Sequence, residues 1–142
     1  RAEIYAVTWT AGLSAPWTGH GYGTFVDMLP LYRDGTLRSP GFWNAAHNDY
    51  LELAATLGLP AAAALLVALA MLAVRCMVGA VRRRRHAAAP MAAGIATVQL
   101  ALHSVFDFPL QLDGVALPYA ALLGAGVAQS MKSSSPAATR RT

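Results

Sequence analysis

LPAAAALLVALAMLAVRCMVGAV, residues 59–81, decides the fold. At about 1.5 Å of rise per residue, a helix of this stretch spans a hydrocarbon core of about 30 Å. Its one charged residue, Arg75, lies near the far end, where a long side chain can snorkel toward the Arg82-Arg83-Arg84-Arg85 block that follows. Two more apolar stretches succeed it, 87–106 and the shorter 115–131, so three membrane spans are expected. Residues 132–142, a Ser, Pro and Ala tail with three cations, read as a disordered end.

Composition agrees with this reading. Hydrophobic residues make up 56% and charged residues 13% of the 142-residue chain, against roughly 25% charged in ordinary soluble domains. Cys76 is the single cysteine and sits inside the first span, so no disulfide framework exists. The chain opens on Arg1 rather than Met and shows no secretory leader. It reads as part of a longer polytopic protein.

The distribution of the net charge of +4 sets the orientation. The Arg82–Arg85 turn and the tail cations Lys132, Arg140 and Arg141 belong on the cytoplasmic side. Two spans separate them, so parity agrees. Residues 1–58 and the turn 107–114 then lie on the outer face. Every acidic residue falls there: Glu3, Asp27, Asp34, Asp49, Glu52, Asp107 and Asp113. The Arg block abuts apolar segments and lacks interleaved aromatics, which argues for a membrane anchor and against nucleic-acid binding.

Upstream of residue 59 the sequence is mixed. Residues 1–46 read as a water-exposed loop region, with a short helix over Glu3–Leu13 that Ser14-Ala15-Pro16 breaks. Gly19 to Phe25 is a flexible loop with three glycines, expected to make a tight turn that packs on the membrane helices, and His20 within it reads as a surface histidine. The loop is not a phosphate loop, because no Gly-Lys-Ser/Thr follows, and no strand precedes it as a dinucleotide fingerprint requires. Asn48 suits a helix N-cap. Asp49 and Glu52 suit the first turn, Gly58 the C-terminal stop and Pro60 the next first turn. A short interfacial helix over 48–57, hinged to the first span, is the expectation.

The residues able to do chemistry lie on the outer side. His47 stands at the mouth of that helix. As bare position, His47-Asn48 is either an interfacial cap or a working pair. In the second case the helix N-terminus attracts phosphate through its N–H groups, and the imidazole either takes a proton from an acceptor hydroxyl or stabilises a leaving phosphate. His103 and Asp107 are four apart at the end of the second span. On one helix face they would bond to each other, either as a helix lock or in support of the site. Arg1, Arg33 and Arg38 are the outer cations that suit a diphosphate. The histidines are too few and too scattered for a zinc site.

Together these residues resemble the C-terminal part of the bacterial O-antigen ligase and polymerase superfamily, over most of residues 1–131. Pro16-Trp17-Thr18-Gly19-His20-Gly21-Tyr22-Gly23-Thr24-Phe25 is similar to the family's Pro-x-x-Gly-x-Gly-x-Gly-x-Phe loop. His47-Asn48 through Gly58-Leu59-Pro60 resembles its His-Asn signature, with Ala61 where the signature ends in Gly. His103-Ser104-Val105-Phe106-Asp107-Phe108-Pro109 resembles a later His-Ser-x-x-Asp-Phe segment.

The resemblance implies an all-α integral protein of the bacterial inner membrane. It implies a glycosyltransferase that moves a glycan from a polyprenyl-diphosphate donor to a hydroxyl of a lipid A core, a growing polysaccharide or a protein, with no cofactor and no catalytic metal. It further implies His47 as the catalytic histidine, with Arg1, Asn48 and Arg33 toward the substrate and His103 and Asp107 in support. The partners implied are the lipid-linked donor, the acceptor and membrane lipids, with no nucleic acid. The rival function is a non-catalytic membrane component of a polysaccharide assembly or export system, or an inactive piece of the enzyme.

Overall fold

A computed structural model describes residues 2–33, 43–82 and 87–131. All regular structure among the described residues is helical: α1 Ala2–Ser14, α2 Phe25–Met28, α3 Asp49–Leu57, α4 Leu59–Arg82, α5 Ala88–His103 and α6 Asp113–Met131. One-turn 3-10 segments follow α2 (Leu29–Tyr32) and precede α6 (Pro109–Gln111).

Two packed units result. α4, α5 and α6 form a three-helix bundle around Cys76, Ala93, Tyr119 and Leu123, with Leu69, Leu100 and Leu110 against them. Small side chains at Cys76 and Ala93 let the helices approach closely, and the Tyr119 hydroxyl is satisfied by Thr97 Oγ1 at 3.0 Å. α1, α2, the 29–32 turn and α3 form the second unit. Its core holds Ile4, Val7, Ala11, Phe25, Met28, Leu29, Ala46 and Ala55.

α4 and α6 are long and apolar enough to cross a membrane, and little of either is buried within the chain. Leu65, Val67, Met71, Val74 and Val81 of α4 are exposed. A contiguous apolar face of this extent marks a surface that lipid or another helix covers. α5 is shorter than the expected 87–106 span. It ends at His103, about 24 Å long at 1.5 Å per residue, against a hydrocarbon core of about 30 Å. Ser104, Val105 and Phe106 form a turn instead. The Ser104 carbonyl accepts the Asp49 amide of α3 and so leaves the helical pattern.

The region expected as loop also carries more structure. Phe25–Tyr32 coils into helical turns because Phe25, Met28 and Leu29 are buried against α1. The Gly-rich loop packs as expected, but on α3. The His20 amide donates to the Ala55 carbonyl (3.0 Å), the Gly21 amide to Thr56 (2.8 Å) and the Leu59 amide to Pro16 (2.8 Å). The loop thereby satisfies carbonyls that the end of α3 leaves open. Gly19 (φ 64°) and Gly58 (φ 79°) face each other there in the left-handed region. A Cβ on Gly58 would lie 2.7 Å from the Trp17 carbonyl carbon, closer than real contacts allow.

His20 is not an idle surface residue. Its Nε2 lies 3.0 Å from the Ala11 carbonyl and 3.2 Å from Ser14 Oγ, and its ring meets Tyr32 edge-on. It ties the loop to the end of α1. Of the basic residues singled out by sequence, Arg1, Arg38, Arg83, Arg84, Arg85 and the tail cations lie outside the described residues.

Candidate active site

The site is built where the N-terminus of α3 meets the C-terminus of α5. Asn48 caps α3 with extended backbone, and its Oδ1 accepts the Leu51 amide at 3.0 Å. Its Nδ2 donates to the Val105 carbonyl at 2.9 Å. The Asp49 amide donates to the carbonyls of Ser104 (3.0 Å) and Asp107 (3.3 Å). Residues 48 and 49 therefore hold three carbonyls of the 104–107 turn. The positive end of one helix faces the negative end of another, which favours the contact.

Below this joint lies a buried acidic node. Asp49 is 1% exposed. Its carboxylate accepts Ser104 Oγ at 2.8 Å, the Leu110 amide at 3.2 Å and Gln111 Nε2 at 3.2 Å. Glu52, also buried, accepts the Ala46 amide at 2.7 Å. Burial pushes both carboxyls above their ordinary values, against the lowering effect of those bonds. The node fixes the segment 104–111 against α3.

That anchoring delivers Asp107 to His47. The two are 60 residues apart in sequence, yet Nδ1 of His47 lies 3.3 Å from Oδ1 of Asp107. The same oxygen accepts the Phe108 amide at 3.0 Å. That bond first, and His47 second, hold the Asp107 carboxyl below its ordinary value. Oδ2 faces His103 Nε2 at 3.8 Å. α5 ends at His103, so this last pair closes across a turn and not along one continuous helix face. The His47 ring stands edge-on to Phe108 (5.0 Å) and Trp43 (6.2 Å).

Backbone geometry sets His47 apart. Its φ is 54°, which makes it the one non-glycine in the left-handed region among the described residues. Such a conformation costs an L-residue about 1–2 kcal/mol. The His47 carbonyl accepts the Tyr5 hydroxyl of α1 at 2.9 Å. The side chain remains partly open, 28% exposed, and Asp107 is 44% exposed. With Nδ1 turned to a carboxylate, Nε2 is the nitrogen left for an incoming group.

Sequence reasoning named His47, Asn48, His103 and Asp107, and the fold brings these four together. Residues 1–66 match the family model described as O-antigen ligase. Over these residues the chain is similar to that family. No curated protein and no solved structure matches it. The O-antigen ligase match takes in the Gly-rich loop, His47 and all of α3, while Asp107 lies beyond it.

Within this O-antigen ligase segment the amides at the start of α3 are engaged by the protein. Those of Asp49, Leu51 and Glu52 all donate internally, so the expected phosphate seat at this helix end is largely occupied. The amide side chain of Asn48 is bonded at both ends, which gives it a structural task. Arg33 stands exposed at the close of the 29–32 turn. Ser104 and Gln111 were not singled out by sequence, and Asp49 was read only as an outer-face, first-turn carboxylate of the short helix. Asp49 and Ser104 lie within the quoted motifs. Tyr5 carried no such signal.

Proposed function

We propose that the chain belongs to a bacterial inner-membrane glycosyltransferase of the O-antigen ligase and polymerase type. It moves a polyprenyl-diphosphate-linked glycan onto an acceptor hydroxyl at the periplasmic face. The observation that carries this reading is the His47–Asp107 pair, held across 60 residues where the start of α3 meets the end of α5. The similarity of residues 1–66 to the O-antigen ligase family supports the substrate class.

In this reading the Asp107 carboxylate accepts the Nδ1 proton of His47 and fixes the tautomer. Nε2 then takes the proton of the acceptor hydroxyl as its oxygen bonds to the anomeric carbon, and the bond to the diphosphate breaks. Arg33 and Arg1 are the cations proposed to meet the leaving diphosphate. Asn48 reaches substrate only through the second N–H of its amide, its main part being to hold Val105. His103 supports Asp107 from the outside.

The membrane-facing part suits a lipid-borne donor. An apolar groove of about 630 Å³ runs between α4 and α6, lined by Leu65, Leu69, Leu72, Leu123 and Val127. Its polar end is formed by Asp49 and Gln111, the same residues that anchor the 104–111 segment. We read α4, α5 and α6 as three spans, with the short α5 reaching the outer interface through the 104–108 turn.

The test is a surface-polysaccharide gel from cells carrying His47→Ala in the full-length gene, with membrane protein level checked by blot. Loss of glycan at normal protein level is the expected result. Single repeats on lipid A then indicate a polymerase, and bare core with accumulated lipid-linked polymer a ligase. An unchanged pattern at normal level overturns the assignment.

A further inference from the structure

We infer that Tyr5 of α1 is a positioning residue for His47, acting through the hydrogen bond from its hydroxyl to the His47 carbonyl; this rests on the function proposed above. The bond joins residues 42 apart, at 2.9 Å. It falls on the one described non-glycine whose backbone is left-handed. An imidazole on such a backbone points where φ aims it. A small relaxation toward the ordinary right-handed or extended regions would swing the ring away from Asp107.

The contacts around His47 divide the work. Asp107 holds Nδ1, and Phe108 and Trp43 bracket the ring, so the side chain is set from one side. Asn48 and Asp49 tie the following residues to the 104–107 turn. The peptide that leaves His47 is held by Tyr5 from a different element. α1 packs on α3 through Ile4, Val7, Ala11 and Ala55, so the position of the Tyr5 ring is fixed independently of the hydroxyl. Removing the hydroxyl should therefore leave the packing intact and release only the His47 peptide. The bond is made to the backbone carbonyl and not to the imidazole. Tyr5 is therefore assigned to act through His47.

The experiment uses the full-length protein in lipid nanodiscs, with a polyprenyl-diphosphate-linked glycan and its acceptor. Tyr5→Phe keeps the ring and deletes the donor. Turnover is expected to fall about three- to tenfold, as for loss of one hydrogen bond that holds the imidazole in its reacting position. KM for the donor should stay at its wild-type value, and the protein should accumulate normally. Replacing Tyr5 by 4-aminophenylalanine restores an N–H donor at the same place and should recover most of the turnover.

A Tyr5→Phe protein with wild-type turnover overturns the inference. So does a turnover loss that 4-aminophenylalanine does not restore, or a Tyr5→Phe protein that fails to accumulate, because the bond would then serve the fold alone. His47→Ala runs in the same assay. If it keeps full activity, the proposed function itself fails. If it is inactive while Tyr5→Phe is normal, only the role of Tyr5 fails.

Discussion

Replacing Gly19 by alanine tests how the Gly-rich loop holds α3. Gly19 has φ 64°, and a Cβ there would run into the Thr56 carbonyl and the Gly58 amide, both backbone atoms with no freedom to turn aside. The left-handed backbone costs about 1–2 kcal/mol for an L-residue. Relieving the clash must also lengthen the bonds from His20 to Ala55 and from Gly21 to Thr56, at about 0.5–1.5 kcal/mol each. The sum is about 2–5 kcal/mol, or on the order of 10 °C in unfolding midpoint. Gly23 is the control. Its φ is 80°, but a Cβ there meets nothing within 4 Å, so alanine should cost only the left-handed backbone's about 1–2 kcal/mol. The assay is thermal unfolding of both variants of the full-length protein in one detergent. Equal midpoints for Gly19→Ala and Gly23→Ala would refute the reasoning, because only docking against α3 distinguishes the two sites.

Asp107→Asn should lower turnover on the order of a hundredfold, with protein level unchanged, because the amide no longer selects the His47 tautomer; the check is single-turnover transfer in nanodiscs. Asp49→Ala leaves the buried donor of Ser104 and the half-buried donors of Leu110 and Gln111 without their acceptor, a loss of about 2–4 kcal/mol, visible as a lower unfolding midpoint and as proteolytic nicking of the 104–111 segment. The pH dependence has a definite sign. Asp49 and Glu52 have folded-state pKa values raised above 3.8 and 4.5, so the stability they add is full below those ordinary values and is lost as pH rises through the folded ones. Asp107 is lowered from 3.8, so its contribution is present above that value and lost in stronger acid. The unfolding midpoint should therefore rise as pH falls from 7 toward about 4.5, and Glu52→Gln should flatten that rise.

Much of the helical frame could be read without coordinates. The short helix at 49–57 follows from Asn48 as cap and Gly58 as stop, and α4 from an apolar run with Pro60 in its first turn. Local rules suffice there because the capping bonds connect residues three or four apart. The same rules failed at 104–106. An apolar run continued the pattern of α5, yet the chain turned, because the Ser104 carbonyl had a better partner in the Asp49 amide. They failed again at 25–32, where burial of Phe25, Met28 and Leu29 against α1 draws a Gly- and Pro-bounded stretch into helical turns.

Sequence by itself determined the helical class, the apolar runs, and the two motifs that hold His47 and Asp107, since each is written in residue type and short spacing. Only the tertiary structure decided that these motifs meet. It also showed that the first amides of α3 are spent on the turn after α5, and that Tyr5 reaches the His47 carbonyl. The physical reason is range. Periodicity and capping act over a few residues, whereas a hydrogen bond across 42 or 60 residues depends on the packing of whole helices, which no local pattern encodes.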